Sequence, residues 1–291
     1  MSKLLFHRLG SPGAWERVLR ERLSEPVHLN LLSLFVWALG SWEAKVYCDL
    51  IFRQYTAFCI LDAARRARAL GLSGVTALEF GVATGAGLLN MCEAAEKARA
   101  ATGVDVRVVG FDTGSGLPPV RDWRDHPELY QRGDYDMQSP ERLRQRLPAH
   151  ASLIIGEIAD TVAQFRDQVS PDAPIGYIAL DVDYYFSAVD ALQVLNGPPD
   201  RYLPFVNMYL DDCHDPHHNP AAGELLALAE FNAANPMRQI HPWTALRDKR
   251  LFKNAAWISK IFAAHVFDHP RRTPGATRAE AKQIENPYLV G

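Results

Sequence analysis

Short apolar runs alternate with longer amphipathic segments through the middle of the chain. A short apolar run that ends in a polar turn is typical of a strand, and apolar residues spaced three and four apart are typical of a helix. Strands that alternate with helices in this way predict a parallel sheet with helices on both faces. The predicted strands are 76–80, 107–112, 152–155, 175–181 and 205–211, and the predicted helices are 86–100, 139–147, 159–169, 187–196 and 223–235.

The late part of the chain predicts a change in the direction of the strands. The runs 238–243 and 258–267 are two further strand candidates, which we expect to pair as a hairpin and to form an antiparallel edge. With the earlier strands they predict a doubly wound, mostly parallel seven-stranded sheet, an α/β architecture of the Rossmann-like kind. We assign this domain to residues 43–267.

The two ends of the chain differ from this domain. Residues 1–42 predict a helical N-terminal extension with a break at 11–13, and one long helix is expected over 43–70, where Gly71 ends it. Residues 268–291 are rich in Pro, Arg and Glu and predict an extended C-terminal arm.

Composition and charge limit the classes of partner and the cellular location that we expect for the chain. The formal net charge is −3 for 291 residues, which gives no reason to expect nucleic-acid binding. The four cysteines lack a paired metal-binding spacing, which predicts reduced thiols and a cytoplasmic location. The apolar run 29–39 is shorter than the roughly 20 residues that a membrane span needs. We therefore expect no membrane span, and a helix that covers the core or forms the contact of a homo-oligomer.

A glycine-rich turn follows the first predicted strand of the sheet. Glu79 ends the strand, and Gly81, Gly85 and Gly87 follow with the spacing G-x-x-x-G-x-G. A strand, a tight turn and a helix in this order form the entry to a nucleotide-type site. Asp112 ends the second strand, where a carboxylate can hold two ribose hydroxyls.

The residues of the turn favour a ligand without phosphate. Its spacing differs from the dinucleotide pattern G-x-G-x-x-G, and no Gly-Lys-Ser/Thr follows. No Lys or Arg lies within the turn to contact a pyrophosphate, whereas an acid at the strand end suits a cationic ligand. S-adenosylmethionine (SAM) has a ribose, an adenine, an ammonium and a sulfonium, so we expect SAM as the cofactor. The alternative is a turn that binds no ligand.

Four more carboxylates are predicted at the same edge of the sheet. Asp181 and Asp183 follow the fourth strand, and Asp211 and Asp212 follow the fifth, which should be its neighbour. Acids that converge on a small volume repel one another unless a cation lies between them. Oxygen ligands without cysteine favour Mg²⁺, Ca²⁺ or Mn²⁺ over zinc. The alternative is that these acids cap the helices that follow or remain solvated.

A histidine-rich segment follows the second acidic pair. His214, His217 and His218 lie beside Asp215, a combination that could form a transition-metal site. A histidine in a loop is more often solvated, and both interpretations stay open.

These segments together resemble the macrocin-type O-methyltransferases, class I SAM-dependent enzymes that tailor natural-product sugars and antibiotics. The resemblance covers about residues 50–235. The segments that carry it are 79–85, 110–118, 180–187, and Asp211-Asp212 followed by 223–231.

The resemblance implies roles for individual residues. It implies that Asp181, Asp211 and Asp212 hold a divalent metal, usually Mg²⁺, and that Asp183 is a candidate base. We take His214 as a second candidate base. The positions that fall at SAM contacts are Glu79, Gly81, Thr84, Gly85, Asp112, Thr113, Gly156, Glu157, Ile158 and Asp181.

The expected activity is therefore SAM-dependent, divalent-metal-assisted O-methyl transfer to a small-molecule hydroxyl, the sugar or phenol of a secondary metabolite. A metal bound to a hydroxyl oxygen lowers the pKa of that hydroxyl, and a carboxylate or imidazole takes its proton. Aromatic residues that could stack on an acceptor ring, or belong to the core instead, are Trp123, Tyr130, Tyr135, Tyr184, Tyr185 and Trp243.

The sequence departs from the family pattern on the acceptor side. Gly114 stands where the family usually has an aromatic residue, and 202–205 stands where it has Gly-Gly. These departures leave the identity of the acceptor open. Two other classes of function stay open as well: a SAM-binding protein without turnover or a subunit of a larger assembly, and a nicotinamide-dependent oxidoreductase.

Overall fold

A computed structural model of the chain describes residues 19–214, 217 and 219–274. The helices of this part are α1 (Val27–Leu39), α2 (Trp42–Tyr47), α3 (Gln54–Ala69), α4 (Ala86–Thr102), α5 (Pro140–Arg146), α6 (Ile158–Gln168), α7 (Tyr185–Leu192), α8 (Gly223–Ala234) and α9 (Leu246–Lys249). The strands are β1 (Gly74–Phe80), β2 (Asp105–Asp112), β3 (Ala151–Ile155), β4 (Ile175–Leu180), β5 (Tyr202–Leu210), β6 (Arg238–Pro242) and β7 (Ile261–Val266).

The strands form one sheet of seven in the order β3-β2-β1-β4-β5-β7-β6. The first five strands are parallel to one another, and β7 lies antiparallel between β5 and β6. The predicted doubly wound, mostly parallel sheet with an antiparallel edge is therefore confirmed. The strand order reverses direction between β1 and β4, and ligands of such sheets bind beyond the carboxyl ends of the strands at this reversal.

Helices cover both faces of the sheet, as the alternating pattern predicted. Residues of α3 and α4 join one buried apolar cluster, and residues of α6, α7 and α8 join the other. The central strands β1 and β4 are buried along their whole length, as expected for parallel strands covered on both sides. This burial holds the strand ends rigidly, so that the turns after them can carry a site.

The prediction of one long helix over 43–70 was wrong. The helix is interrupted after Tyr47, and the connecting turn contains Asp49 at φ 51° and Arg53 at φ 50°. The reason is a tertiary contact. Asp49 is buried and accepts a hydrogen bond of 2.7 Å from Arg250, whose guanidinium also donates to the backbone carbonyl of Val46 at 2.9 Å. A continuous helix would not place this carboxylate against Arg250.

The helix α1 has little of its own surface covered by the rest of the described residues. Ser33 is its one buried residue, whereas Leu31, Leu34 and Trp37 are 62%, 65% and 67% exposed. Among the described residues, no helix has both the length and the apolar character needed to cross a membrane. The predicted break at 11–13 and residues 275–291 of the predicted arm lie outside the described residues.

Candidate functional site

The ends of the central strands are tied together by backbone hydrogen bonds. The N–H of Asp181 donates to the carbonyl of Phe80 at 3.0 Å, and the N–H of Asp211 donates to the carbonyl of Leu180 at 3.1 Å. The strands β4 and β5 are parallel neighbours, as predicted. The acids after these strands therefore start from adjacent positions on one edge of the sheet.

The turn after β1 is built around glycines that have no room for a side chain. Gly81 has φ 85°, and a Cβ at this position would lie 1.8 Å from the backbone carbonyl oxygen of Asp181. A Cβ on Gly87, in the first turn of α4, would lie 2.0 Å from the Oε1 atom of Glu79. The glycines thus let the turn approach β4 and leave space for a buried carboxylate.

A cavity of about 350 Å³ opens beside this turn, a size within the usual range for small-molecule sites. It extends from the glycine-rich turn to the acids after β4 and β5. The residues predicted for the site that line it are Glu79, Gly81, Thr84, Asp112, Thr113, Glu157, Ile158, Asp181, Asp183, Asp211 and Asp212.

Three predicted residues do not line this cavity. Gly85 is the N-cap of α4 with φ 88°, and Gly156 shapes the turn before α6 with φ 147°. His214 is exposed, and its Nε2 atom lies 2.9 Å from the backbone carbonyl oxygen of Ser259. His217 is exposed too, whereas His218 and Asp215 lie outside the described residues, so the predicted histidine metal site stays a prediction.

Glu79 carries the most unusual carboxylate of the cavity. Its side chain is 3% exposed, and its Oε2 atom has no hydrogen-bond partner among the described residues. Burial, followed by repulsion from Asp181, raises its pKa well above the ordinary value. A buried acceptor without a partner is costly, so this oxygen suits a cationic ligand group.

The carboxylate of Asp112 accepts hydrogen bonds from backbone N–H groups of two turns. Its Oδ2 atom accepts hydrogen bonds from the N–H groups of Val82 at 2.9 Å and Ala83 at 2.8 Å, and its Oδ1 atom accepts one from Gly114 at 2.6 Å. A carboxylate accepts about four hydrogen bonds in all. In this arrangement Asp112 retains the capacity for about one ribose hydroxyl rather than the expected two.

The acids after β4 and β5 perturb one another. Burial and the neighbouring Asp211 raise the pKa of Asp181 to about 8, and burial and Asp212 raise the pKa of Asp183 to about 7. The residue at the N-cap of α7 is Tyr184, so Asp183 does not occupy the capping position. In the part of the chain described, however, no three His, Cys, Asp or Glu side chains converge tightly enough to form a metal-binding group as they stand.

Asp211 has two partners that the sequence did not predict. The hydroxyl of Tyr209 donates to its Oδ1 atom, and the Nζ atom of Lys260 lies 3.2 Å from the same oxygen. The Nζ atom also donates to the backbone carbonyl of Asp211. These contacts favour the ionised carboxylate, and the pKa of Asp211 is lowered although burial opposes this.

The aromatic candidates divide into three groups. Tyr130 and Tyr135 line the cavity, and Tyr130 donates a hydrogen bond to Asp183. Tyr184 and Tyr185 are buried in the core, and Trp243 packs against Phe205 with ring centroids 5.0 Å apart. Trp123 is 65% exposed and does not line the cavity.

Arg53 is a cavity residue that the sequence reasoning missed. It lies in the turn before α3 and contributes the guanidinium nearest the glycine-rich turn. Arg53 belongs to no motif of residues at a characteristic spacing, so the sequence alone could not identify it as a cavity residue.

Comparisons with known proteins found similarity only to solved structures. No protein-family model matches the chain, and no curated protein matches it in sequence. Among solved structures, it is similar to CalS11, a calicheamicin methyltransferase, with a TM-score of 0.49 and 18% identity over 88% of this chain and 93% of that chain. It is also similar to the O-methyltransferase TomG of Streptomyces achromogenes, involved in tomaymycin synthesis, with a TM-score of 0.42 and 13% identity over 83% of this chain and 98% of that one. Similarity at this level assigns no family, and the macrocin-type resemblance stays a prediction.

Proposed function

We propose that this protein is a SAM-dependent O-methyltransferase that acts on a hydroxyl of a small molecule, a sugar or phenol, with the help of a divalent cation such as Mg²⁺. The observation that carries the proposal is the composition of one cavity. Its lining joins the glycine-rich turn and the buried Glu79 to the acids Asp181, Asp183, Asp211 and Asp212.

The turn after β1 supports SAM as the ligand of the part of the cavity that lies beside this turn. Gly81 and Gly87 would let a ligand approach the backbone closely, and the acids Glu79 and Asp112 suit an ammonium and a ribose hydroxyl. A phosphate would meet repulsion from both acids, which disfavours a dinucleotide.

The acids at the ends of β4 and β5 fit a hard divalent cation in their chemistry. All are oxygen donors, and burial together with repulsion among these acids raises the pKa values of Asp181 and Asp183. Asp181, Asp211 and Asp212 would hold the cation. When bound, the cation would polarise the acceptor oxygen and lower the pKa of its hydroxyl.

The reaction requires one proton acceptor near the acceptor hydroxyl. The oxygen of the acceptor forms a bond with the methyl carbon as the bond from that carbon to the sulfonium sulfur breaks, which leaves a neutral thioether. The hydroxyl proton passes to Asp183, which lines the cavity and has a pKa of about 7. Tyr130 holds the carboxylate of Asp183 by a hydrogen bond and limits its orientation.

The exposed helix α1 supports a homo-oligomer. Its 13 residues include no Lys, Arg, Asp or Glu, and a helix that is apolar on all sides is normally buried. It is too short to span a bilayer and lacks the basic face of helices that lie on membranes. A second copy of the same helix matches it in chemistry and length.

The test separates binding from turnover. We expect isothermal titration to show binding of SAM and no binding of NAD, and product mass to increase by one methyl group when hydroxylated sugars or phenols are supplied with Mg²⁺. The variant Asp211→Ala should bind SAM but lose metal-dependent turnover. SAM binding without any methylated product would favour a binding protein, NAD binding would favour an oxidoreductase, and full activity of Asp211→Ala in chelator would remove the metal-assisted mechanism.

A further inference from the structure

Arg53 adopts a backbone conformation that the local sequence does not favour. It is the N-cap of α3 with φ 50° and ψ 56°, in the left-handed region, although it is neither glycine nor asparagine. Such a conformation costs free energy and persists where the surrounding structure holds it in place. Here it directs the side chain of Arg53 into the cavity rather than along the surface of the helix.

The guanidinium of Arg53 is held by a rigid partner. Its Nη1 atom donates a hydrogen bond of 3.0 Å to the hydroxyl of Tyr55. The ring of Tyr55 stacks on Tyr209 of β5, with centroids 3.9 Å apart and planes 10° apart. The position of the arginine is therefore fixed from the core of the sheet, and only one of its five N–H groups is used by this contact.

An acidic and a basic side chain meet at the first turn of α4. A Cβ built on Gly87 would lie 2.0 Å from the Oε1 atom of Glu79 and 3.2 Å from the Nη1 atom of Arg53. Burial opposes the charge of Arg53, but the tyrosine and the acids Glu79 and Asp181 outweigh it, so that the pKa of Arg53 is raised. The cavity thus presents a carboxyl and a guanidinium group side by side, both next to the start of a helix.

This arrangement is complementary to the zwitterionic end of an α-amino acid. The carboxylate of Glu79, which lines the cavity, suits an ammonium, and the remaining N–H groups of Arg53 suit a carboxylate, which guanidinium groups bind by paired hydrogen bonds. We infer that Arg53 forms a carboxylate-binding subsite for the methionine end of the methyl donor. The inference rests on the proposed function, because SAM carries both groups on one carbon.

Two ligands that differ only in the carboxylate can show whether Arg53 binds that group or only maintains the shape of the cavity. S-adenosylhomocysteine has the α-carboxylate, and its decarboxylated analogue, the adenosyl thiopropylamine, lacks it but keeps the ammonium and the adenosine. We expect the wild-type protein to bind S-adenosylhomocysteine about 10- to 100-fold more tightly than the analogue, as measured by isothermal titration.

The variant Arg53→Gln should remove this difference. We expect its affinity for S-adenosylhomocysteine to fall by about 10- to 100-fold and its affinity for the analogue to change by less than about twofold. Arg53→Lys keeps the charge without the paired donors and should show a smaller loss, which also covers the case in which the glutamine variant folds poorly. Arg65→Gln is the matched control, because Arg65 lies on the same helix, pairs with Glu43 and does not line the cavity.

The outcomes distinguish the inference from the proposed function. Equal losses for both ligands in Arg53→Gln, or equal affinity of the wild-type protein for both, would overturn the carboxylate-binding role while SAM binding itself stands. Failure of the wild-type protein to bind either ligand would instead reject the proposed function.

Discussion

Replacement of Glu79 by glutamine should change stability and ligand binding in opposite directions. The carboxylate is buried, its Oε2 atom has no partner among the described residues, and Asp181 lies close enough to repel it. Glutamine has nearly the same shape and no charge. The substitution therefore removes a group whose ionisation is unfavourable in the folded, ligand-free protein, and it removes the acceptor that we assign to the ammonium of SAM.

The sign of the stability effect follows from proton binding. Burial first, and repulsion by Asp181 next, raise the pKa of Glu79 in the folded protein well above the reference value of 4.5. Above about pH 4.5 the folded protein therefore binds more protons than the unfolded chain, so the contribution of Glu79 to stability falls as the pH rises. The loss is at most about 1.4 kcal/mol for each pH unit below the folded pKa. A glutamine side chain does not titrate, so the variant Glu79→Gln lacks this loss.

We therefore expect the free energy of unfolding of Glu79→Gln, relative to the wild-type protein, to increase by about 1–3 kcal/mol between pH 5 and pH 7. Urea unfolding in EDTA without SAM measures the free energies of both proteins. Any cost of the new amide that does not depend on pH is the same at pH 5 and pH 7, so it cancels when the two pH values are compared. The loss of a charge-assisted hydrogen bond, about 1.5–3 kcal/mol, should weaken S-adenosylhomocysteine binding by about 10- to 150-fold at pH 7.

Glu93→Gln is the control for this experiment, because Glu93 is exposed on the neighbouring helix α4. It should leave both measurements unchanged. Two results would refute the reasoning: a relative stability of Glu79→Gln that stays constant or falls from pH 5 to pH 7, or an unchanged affinity for the ligand.

Two further predictions concern the glycine-rich turn and α1. Gly81→Ala should lower the free energy of unfolding by about 3 kcal/mol or more, because its Cβ would lie 1.8 Å from a backbone carbonyl oxygen. Gly71 also has a positive φ but has nothing within 4 Å of its Cβ position, so Gly71→Ala should cost about 1 kcal/mol. Equal costs in urea unfolding would contradict the steric argument. The double variant Leu34→Glu, Trp37→Glu should lower the particle mass seen by light scattering, because two copies of α1 could no longer bury these side chains, whereas Met237→Glu, at another exposed apolar residue, should not. A wild-type protein that is monomeric at micromolar concentration would reject the proposed oligomer.

Much of the fold could be predicted because apolar periodicity reports which face of an element is buried. The strands β1 and β4 are buried along their whole length, and their apolar runs were visible without any tertiary information. The acids Asp181 and Asp211 could be placed together for a related reason. Both follow the ends of parallel strands, and parallel strands end at the same edge of a sheet.

What the periodicity could not show were contacts between residues far apart in the sequence. The turn between α2 and α3 depends on Arg250, about 200 positions later, which holds the carboxylate of Asp49. Lys260 contacts Asp211 from the segment before β7, and its ammonium group partly compensates the charge of the Asp211 carboxylate. In both cases the side chain has no local signature, because its partner is supplied by the packing of separate elements.

The sequence by itself determined the order of strands and helices, the glycine-rich turn and the chemical types of the acids at the edge of the sheet. Only the tertiary structure decided how these groups are partnered: that the turn amides occupy most of Asp112, that Glu79 retains an oxygen without a partner among the described residues, and that Arg53 faces it across Gly87. The physical reason is that burial follows from local patterns of apolar residues, whereas hydrogen bonds and charge compensation depend on distances that the completed fold alone sets.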